Sequence, residues 1–346
     1  MTNSTSTLHL SPEQIRQPIE FALPTQTVLV DRSKVGVDET QRLKHNLLGL
    51  ARSSEHVRSF VSHLSNKGFF LVDHANGVSR FEQLSDHSTF AQFFKDDSLQ
   101  IRNGMFYNIE KPSLNVGAPR LLVVFSSIAD YPLNASISRR MFFKNFPTIA
   151  KYIPKNTYIL RIADIGSVLG SFYLNSNFDS DFTGKTQNLI QAIAKELSVQ
   201  NSDIVLYGAS KGATGAFYHG VTGGYAAVAV DPIVSDKYYL HEKKDAHFVE
   251  GNFPSYKEAV FSTLLNKVEP RSPIHVITSP SSEQYEYIDQ LLSSHRDNRS
   301  LMLYRFSNPN ISTHTDVGPQ TINFVTAMIN NLFYGIESKG SQDYAC

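Results

Sequence analysis

From Leu121 onward the chain carries a series of short apolar runs without polar alternation: Leu121–Phe125, Tyr158–Ile162, Ile204–Tyr207, Ala226–Val230, Ile274–Thr278 and Leu301–Phe306. A strand with one face in water alternates apolar and polar residues, whereas a strand apolar throughout has both faces covered. Between these runs lie stretches with helical spacing, at Lys185–Leu197, Lys211–His219, Tyr256–Leu265, Glu283–Ser293 and Thr321–Leu332. Strand and helix taking turns over residues 121–346 predict an α/β fold with a doubly wound, mostly parallel sheet. One spacing breaks the rhythm. The connection from Pro232 to Pro273 is far longer than an ordinary crossover, so residues 233–272 are read as a candidate lid.

The first hundred residues follow a different pattern. Residues 1–35 are mixed and polar, and helical patterns follow over Thr40–Arg52 and Glu55–Lys67, with Leu43, Leu47, Leu48, Val57, Phe60, Val61 and Leu64 on the apolar positions. A short apolar segment, Phe69–Val72, precedes a further helical pattern over Phe81–Phe94. A strand-like run, Ile101–Ile109, then leads into the turn-rich stretch Lys111–Arg120. The expected organisation is a mainly helical N-terminal appendage, residues 1–100, and a catalytic unit, residues 101–346.

Charge and cysteine content narrow the partners. Lys and Arg (32) balance Asp and Glu (32), which argues against a broadly basic nucleic-acid or anionic-membrane binder. Cys346 is the only cysteine, so no intrachain disulfide and no Cys-based zinc cluster is expected. The amino terminus lacks the basic start and apolar run of a secretory signal, and no apolar stretch approaches the ~20 residues of a membrane span, so the expected location is the cytosol.

The chemistry concentrates in Ile204-Val-Leu-Tyr-Gly208-Ala-Ser210-Lys-Gly212-Ala-Thr-Gly215-Ala. An apolar strand runs into Gly-x-Ser-x-Gly, and a small-residue helix follows. A serine on such a tight strand-to-helix turn sits in a strained conformation that lifts its hydroxyl above the sheet edge, and the flanking glycines relieve the crowding. Ser210 is therefore the candidate nucleophile. The helix start places the amide of Lys211 beside it as a candidate oxyanion donor, and the strand Leu121–Phe125 ends in small residues whose amides, Ser127 or Ile128, are candidates for the second donor. A base is expected after the last strand, where Ser-Thr-His314-Thr-Asp follows Leu301–Phe306. His314 fits that place in a loop. The acid belongs between serine and histidine in the chain. Glu283, the first carboxylate after the strand Ile274–Thr278, is the expected one. Asp231, directly after Ala226–Val230, is the main alternative, and Asp289 a poorer one. In the candidate lid, Lys243 and Lys244, with Lys237, offer positive charge to an anionic substrate, and Tyr238, Tyr239 and Phe248 offer rings that stack on sugars. Two other signals are set aside. Gly184-Lys185-Thr186 has Asp179 where a phosphate-binding loop needs glycine, and His241 and His247 lack metal-site spacing, so no metal is expected.

With Leu-Tyr-Gly-Ala-Ser210-Lys-Gly, the Val-Val-Phe-Ser-Ser strand end and His314 in place, residues 100–335 resemble the α/β-hydrolase superfamily. Serine followed by lysine in the elbow, joined to a long N-terminal segment, is similar to a bacterial branch associated with capsular-polysaccharide biosynthesis, which includes hydrolase-like capsule O-acetyltransferases. The resemblance implies a serine-dependent acyl transfer through an acyl-enzyme, with a capsular or surface glycan as acceptor and acetyl-CoA as acyl-donor substrate, no cofactor being held tightly. Transfer to water, an esterase activity, uses the same intermediate. The alternative from another class is a catalytically inactive hydrolase-like scaffold in a capsule assembly or export complex, for which a missing acid or a buried Ser210 would speak.

Overall fold

The apolar runs all become strands of one large sheet, and a second, smaller sheet precedes it. The structure, a computed structural model of the chain, describes residues 6–11, 13–16, 25–31, 46–83, 91–94, 96–129, 134–337 and 340–345. Leu43 and Cys346 lie outside the described residues, as does most of the expected helix start at Thr40.

The small sheet is made of β1 (Ser6–Leu10), β2 (Thr25–Asp31), β3 (Phe69–Ala75) and β4 (Val78–Gln83), in the order β1-β2-β4-β3. Two helices, α1 (Leu47–Ala51) and α2 (Glu55–Asn66), pack with it. The expectation of a mainly helical appendage is thus corrected. Phe81–Gln83, read from the sequence as the start of a helix, belongs to β4, which pairs antiparallel with both β2 and β3. Residues 84–90 lie outside the described part, and Gln92–Phe94 form a single 3-10 turn. The signal for the hairpin is Asn76-Gly77, both with positive φ (52° and 79°), the conformation that lets a two-residue turn match the twist of its strands. Asn103-Gly104 repeats the device at φ 48° and 79°, and splits the expected strand Ile101–Ile109 into β5 (Gln100–Arg102) and β6 (Met105–Glu110).

The remaining strands are β7 (Arg120–Phe125), β8 (Thr157–Ile162), β9 (Ile204–Ala209), β10 (Ala226–Val230), β11 (Ile274–Thr278), β12 (Leu301–Ser307) and β13 (Gln342–Ala345). With β5 and β6 they form a nine-stranded sheet ordered β13-β12-β11-β10-β9-β7-β8-β6-β5. Every pair from β13 to β8 is parallel, and β6 turns the edge antiparallel. Helices follow in turn: α3 (Ile137–Met141), α4 (Phe182–Glu196), α5 (Lys211–Gly223), α6 (Lys237–His241), α7 (Lys257–Lys267), α8 (Tyr285–Ser293) and α9 (His314–Phe333).

The lack of polar alternation now has its cause. Along β7, Leu121, Val123 and Phe125 enter one core with α4 and α5, while Leu122 and Val124 enter another with α9. Ile204 and Leu206 on β9 face the first core, and Val205 and Tyr207 the second. β3 is also buried on both sides. Phe70 and Val72 join the core of the large sheet, and Phe69 and Leu71 that of the small one. The candidate lid, residues 233–272, holds α6, a 3-10 turn at Ala246–Phe248 and α7.

Candidate active site

Strand β9 ends at Ala209 and helix α5 begins at Lys211, leaving Ser210 alone to make the turn. Its backbone is at φ 54° and ψ −122°, a conformation that costs a side-chain-bearing residue on the order of 1–3 kcal/mol. Two glycines make the turn feasible. A Cβ on Gly208 would lie 2.1 Å from the carbonyl oxygen of Gly212, and one on Gly212 would lie 2.5 Å from that of Phe125. The Ser210 N–H donates to the Val230 carbonyl at 2.9 Å, tying the turn to β10.

His314 meets this serine. It is the first residue of α9 rather than a loop residue, because Thr313 and Asp316 form a capping box around the helix start. Its Nε2 lies 2.7 Å from Ser210 Oγ, and its Nδ1 lies 2.6 Å from Asp231 Oδ2. A carboxylate only accepts, so Nδ1 carries the proton and Nε2 is left to accept from the serine hydroxyl. The Asp231 side chain is 2% exposed and the His314 side chain 11%. Asp231 also accepts from the hydroxyls of Thr278 and Ser282, each at 2.5 Å, so its lone pairs are fixed by three donors.

The expected acid, Glu283, does not face the imidazole. Its Oε2 accepts from the backbone N–H of His314 at 2.6 Å and its Oε1 from the Tyr238 hydroxyl at 3.1 Å. Burial opposes the Glu283 charge, but these hydrogen bonds, led by the His314 amide, outweigh it and hold the carboxyl below its ordinary pKa. The physical reason for the difference is helical. A carboxylate beside the first turn of α9 satisfies one of its free N–H groups, and that geometry leaves the ring to Asp231. Asp289, the third carboxylate considered, pairs with Arg305 at 2.5 Å.

The structure places Lys211 at the first position of α5, its side chain fully buried. Ser127 and Ile128 follow β7. Ser127 bridges antiparallel to Phe143, and its hydroxyl donates to Asn145 at 2.6 Å, while Asn145 in turn donates to the Phe125 carbonyl at 2.8 Å. Sequence reasoning did not single out Asn145, which sits in the loop after α3.

Two cavities meet at Ser210 and His314. The larger, about 360 Å³, is walled by the candidate lid, including Tyr238, Tyr239 and Lys243, and by Arg52 from the small-sheet unit. Arg52 also makes a two-pronged contact with Asp245 at 2.8 and 3.0 Å. Lys243 sits 5.4 Å from the centre of the Tyr238 ring, whereas Lys244 is not part of the wall. The second cavity, about 320 Å³, lies on the side of Ser127, Phe143 and Ile322. Among the described residues, no group of three or more His, Cys, Asp or Glu side chains is placed to hold a metal ion, and no helix is long and apolar enough to cross a membrane.

A serine hydroxyl held by a neutral imidazole that is held in turn by a buried carboxylate can lose its proton as it attacks a carbonyl. The strand–turn–helix elbow in a mostly parallel sheet, with its histidine after a later strand, is the arrangement of the α/β-hydrolase fold. No family model matches the sequence, and no curated protein matches it. Solved structures do resemble it. One is a variant of the capsule O-acetyltransferase of Neisseria meningitidis serogroup A in complex with CoA, with 13% identity over 69% of this chain and 99% of that one and a TM-score of 0.49. Another is a fluorophosphonate-binding serine hydrolase of Staphylococcus aureus, with 12% identity over 68% of this chain and 95% of that one and a TM-score of 0.47. A third is an esterase of Pyrobaculum calidifontis, with 12% identity over 74% of this chain and 95% of that one and a TM-score of 0.46.

Proposed function

We propose that this chain is a serine-dependent acyl-transfer enzyme. Ser210 Oγ attacks the carbonyl carbon of an acyl donor while His314 Nε2 takes its proton. The negative charge on the carbonyl oxygen is met by the amide of Lys211 and by that of Ser127 or Ile128. His314 then gives the proton to the leaving group, and an acyl-Ser210 ester remains. The acceptor hydroxyl next loses its proton to His314 and displaces Ser210, whose Oγ takes the proton back from His314 as it leaves. Asp231 holds the imidazole in the required tautomer and stabilises its cation in both steps. The observation that carries the reading is the unbroken line from Ser210 through His314 to Asp231, at 2.7 and 2.6 Å.

Within that reading the acceptor is a hydroxyl of a capsular or surface polysaccharide and the donor is acetyl-CoA, with de-esterification as the reverse use of the same intermediate. Support comes from the sequence resemblance and from the cavity wall, where Tyr238 and Tyr239 offer rings and Lys243 a cation. A scaffold role would call for a missing acid or a buried serine. Asp231 is against the imidazole and Ser210 lines both cavities, so we place the scaffold reading second.

A fluorophosphonate probe tests the nucleophile. Labelling of the wild type that disappears in Ser210→Ala is expected, and folded wild-type protein that stays unlabelled would refute the reading. Incubation with labelled acetyl-CoA and candidate glycans then separates the two acceptors. Label recovered only as free acetate would leave an esterase and remove the transferase.

A further inference from the structure

The lysine that follows the nucleophile has a side chain that the acyl-transfer chemistry does not use. Lys211 opens α5 directly after the elbow serine and sends its ammonium into the interior, where Nζ lies 2.9 Å from Asp164 Oδ2, both side chains being fully buried. The same Nζ donates to the carbonyls of Arg140 at 2.8 Å and Leu169 at 3.2 Å. Burial draws the Lys211 pKa below its ordinary value, and the neighbouring Asp164 charge acts against that.

Asp164 does more than neutralise the lysine. Its Oδ1 accepts from the N–H and hydroxyl of Ser171, at 2.9 and 2.6 Å, and from the N–H of Tyr173 at 3.1 Å, while Oδ2 accepts from the Phe172 N–H at 2.9 Å. These bonds hold a loop in conformations that side chains rarely adopt, with Phe172 at φ 57° and Tyr173 at φ 60°. The loop closes around the ion pair. A Cβ on Gly170 would come 2.4 Å from Asp164 Oδ2 and 2.6 Å from Lys211 Nζ.

So placed, Tyr173 reaches the other side of the elbow. Its hydroxyl donates to the Ile162 carbonyl at 2.7 Å and accepts from the Ser126 N–H at 2.6 Å. Ser126 is the first residue after β7 and directly precedes Ser127 and Ile128. The Tyr173 ring lies edge-on to Phe125, with centroids 4.6 Å apart.

We propose that Lys211, Asp164 and Tyr173 are positioning residues, forming one buried bridge that fixes the distance between the two oxyanion-binding amides, that of Lys211 on α5 and that of Ser127 or Ile128 after β7. The bridge runs from Lys211 through Asp164 and the Tyr173 hydroxyl to the backbone of Ser126, and it touches no substrate. It rests on the acyl-transfer reading and deepens it. A hydrogen bond to a developing oxyanion is worth most when its donors are already in place, and a misplacement of about 1 Å costs on the order of 10²-fold in rate. The bridge therefore acts on the transition state and leaves ground-state binding of an ester alone.

The test uses Tyr173→Phe, which keeps the ring and removes only the hydroxyl, and Lys211→Met as a second variant of similar length. The readouts are p-nitrophenyl acetate hydrolysis, inhibition by a trifluoromethyl ketone that forms a tetrahedral adduct, and thermal melting. In folded Tyr173→Phe we expect kcat to fall on the order of 10²-fold, KM to stay within about threefold, and the inhibition constant to weaken in step with kcat. A variant that melts lower but keeps kcat and the inhibition constant within twofold of the wild type would overturn the bridge while leaving the acyl-transfer reading intact. A folded wild type that neither hydrolyses the ester nor binds the ketone would overturn that reading, and the bridge with it.

Discussion

Exchanging the two carboxylates near His314 for their amides separates their roles. In Asp231→Asn with the NH₂ group in the place of Oδ2, the Thr278 hydroxyl keeps its acceptor, the Ser282 hydroxyl loses one, the negative charge is gone and the NH₂ group meets Nδ1. The imidazole then favours the tautomer with its proton on Nε2, where it cannot accept from Ser210. The magnitude follows from the contact. Two unit charges about 4 Å apart at an effective dielectric of about 20 attract by ~4 kcal/mol, or roughly 10³-fold in rate. With the tautomer lost as well, the expected loss is on the order of 10³–10⁴-fold. Glu283→Gln leaves an amide oxygen to accept the His314 N–H, so less than about a tenfold loss is expected. The second-order rate of fluorophosphonate labelling measures both variants without knowledge of the natural substrate, and melting curves establish that each is folded. Asp231→Asn reacting at more than a tenth of the wild-type rate, with Glu283→Gln slower by a hundredfold or more, would refute the assignment and pass the acid role to Glu283.

Acid should destabilise the fold through three buried histidines. Burial lowers the pKa of His219 and His275 to about 4 and that of His247 to about 3, whereas in the unfolded chain each protonates near 6.5. Between those values the unfolded state binds more protons, so this stabilisation is full above about pH 6.5 and is lost as pH falls toward 4, by at most ~4 kcal/mol per pH unit for the three together. Melting temperature against pH measures it, and a flat profile from pH 7 to 5 would contradict it. Among the described residues neither ring nitrogen of His247 has a hydrogen-bond partner, so His247→Leu should raise stability by about 1 kcal/mol and make the acid slope shallower, as read by denaturant titration. Gly212→Ala should abolish labelling of Ser210 or prevent folding, since its Cβ would meet the Phe125 carbonyl oxygen at 2.5 Å. Lys243→Ala is expected to raise KM for acetyl-CoA severalfold and Lys244→Ala to leave it unchanged, because only Lys243 lines the cavity. Equal effects would remove that distinction.

The large sheet was legible because its strands are buried on both faces, and such strands leave little ambiguity. Ala226–Val230 and Ile274–Thr278 match the structure to the residue, and Leu121–Phe125 differs by one. The elbow was legible because Gly208 and Gly212 are demanded by backbone contacts that a short segment makes with its own surroundings. The small sheet was less so. Thr25–Asp31 holds only the short apolar run Val28-Leu29-Val30 among polar residues, and Phe81 with the residues after it mimics a helical period until two strands claim it. Among the carboxylates, chain order admits both Glu283 and Asp231. The choice depends on where α9 starts, and a capping box at Thr313 and Asp316 is the local signal that would have put His314 inside the helix. The link from Lys211 to Ser126 joins residues far apart in the chain, and no spacing announces it.

Strand β3 gives Phe70 and Val72 to one core and Phe69 and Leu71 to the other, and the carbonyl of Leu71 accepts from the buried Arg140 guanidinium. The gap between the two sheets is therefore a seam in topology without being a line of weakness. Trimming the chain to its hydrolase-like part would open an apolar floor beneath the loop of Val168 and Leu169, leave Arg140 with the Val168 carbonyl but without that of Leu71, and take Arg52 away from the cavity wall. The smallest piece able to hold its shape includes the small sheet, and anything that docks on that sheet leans on the same wall that a substrate would touch.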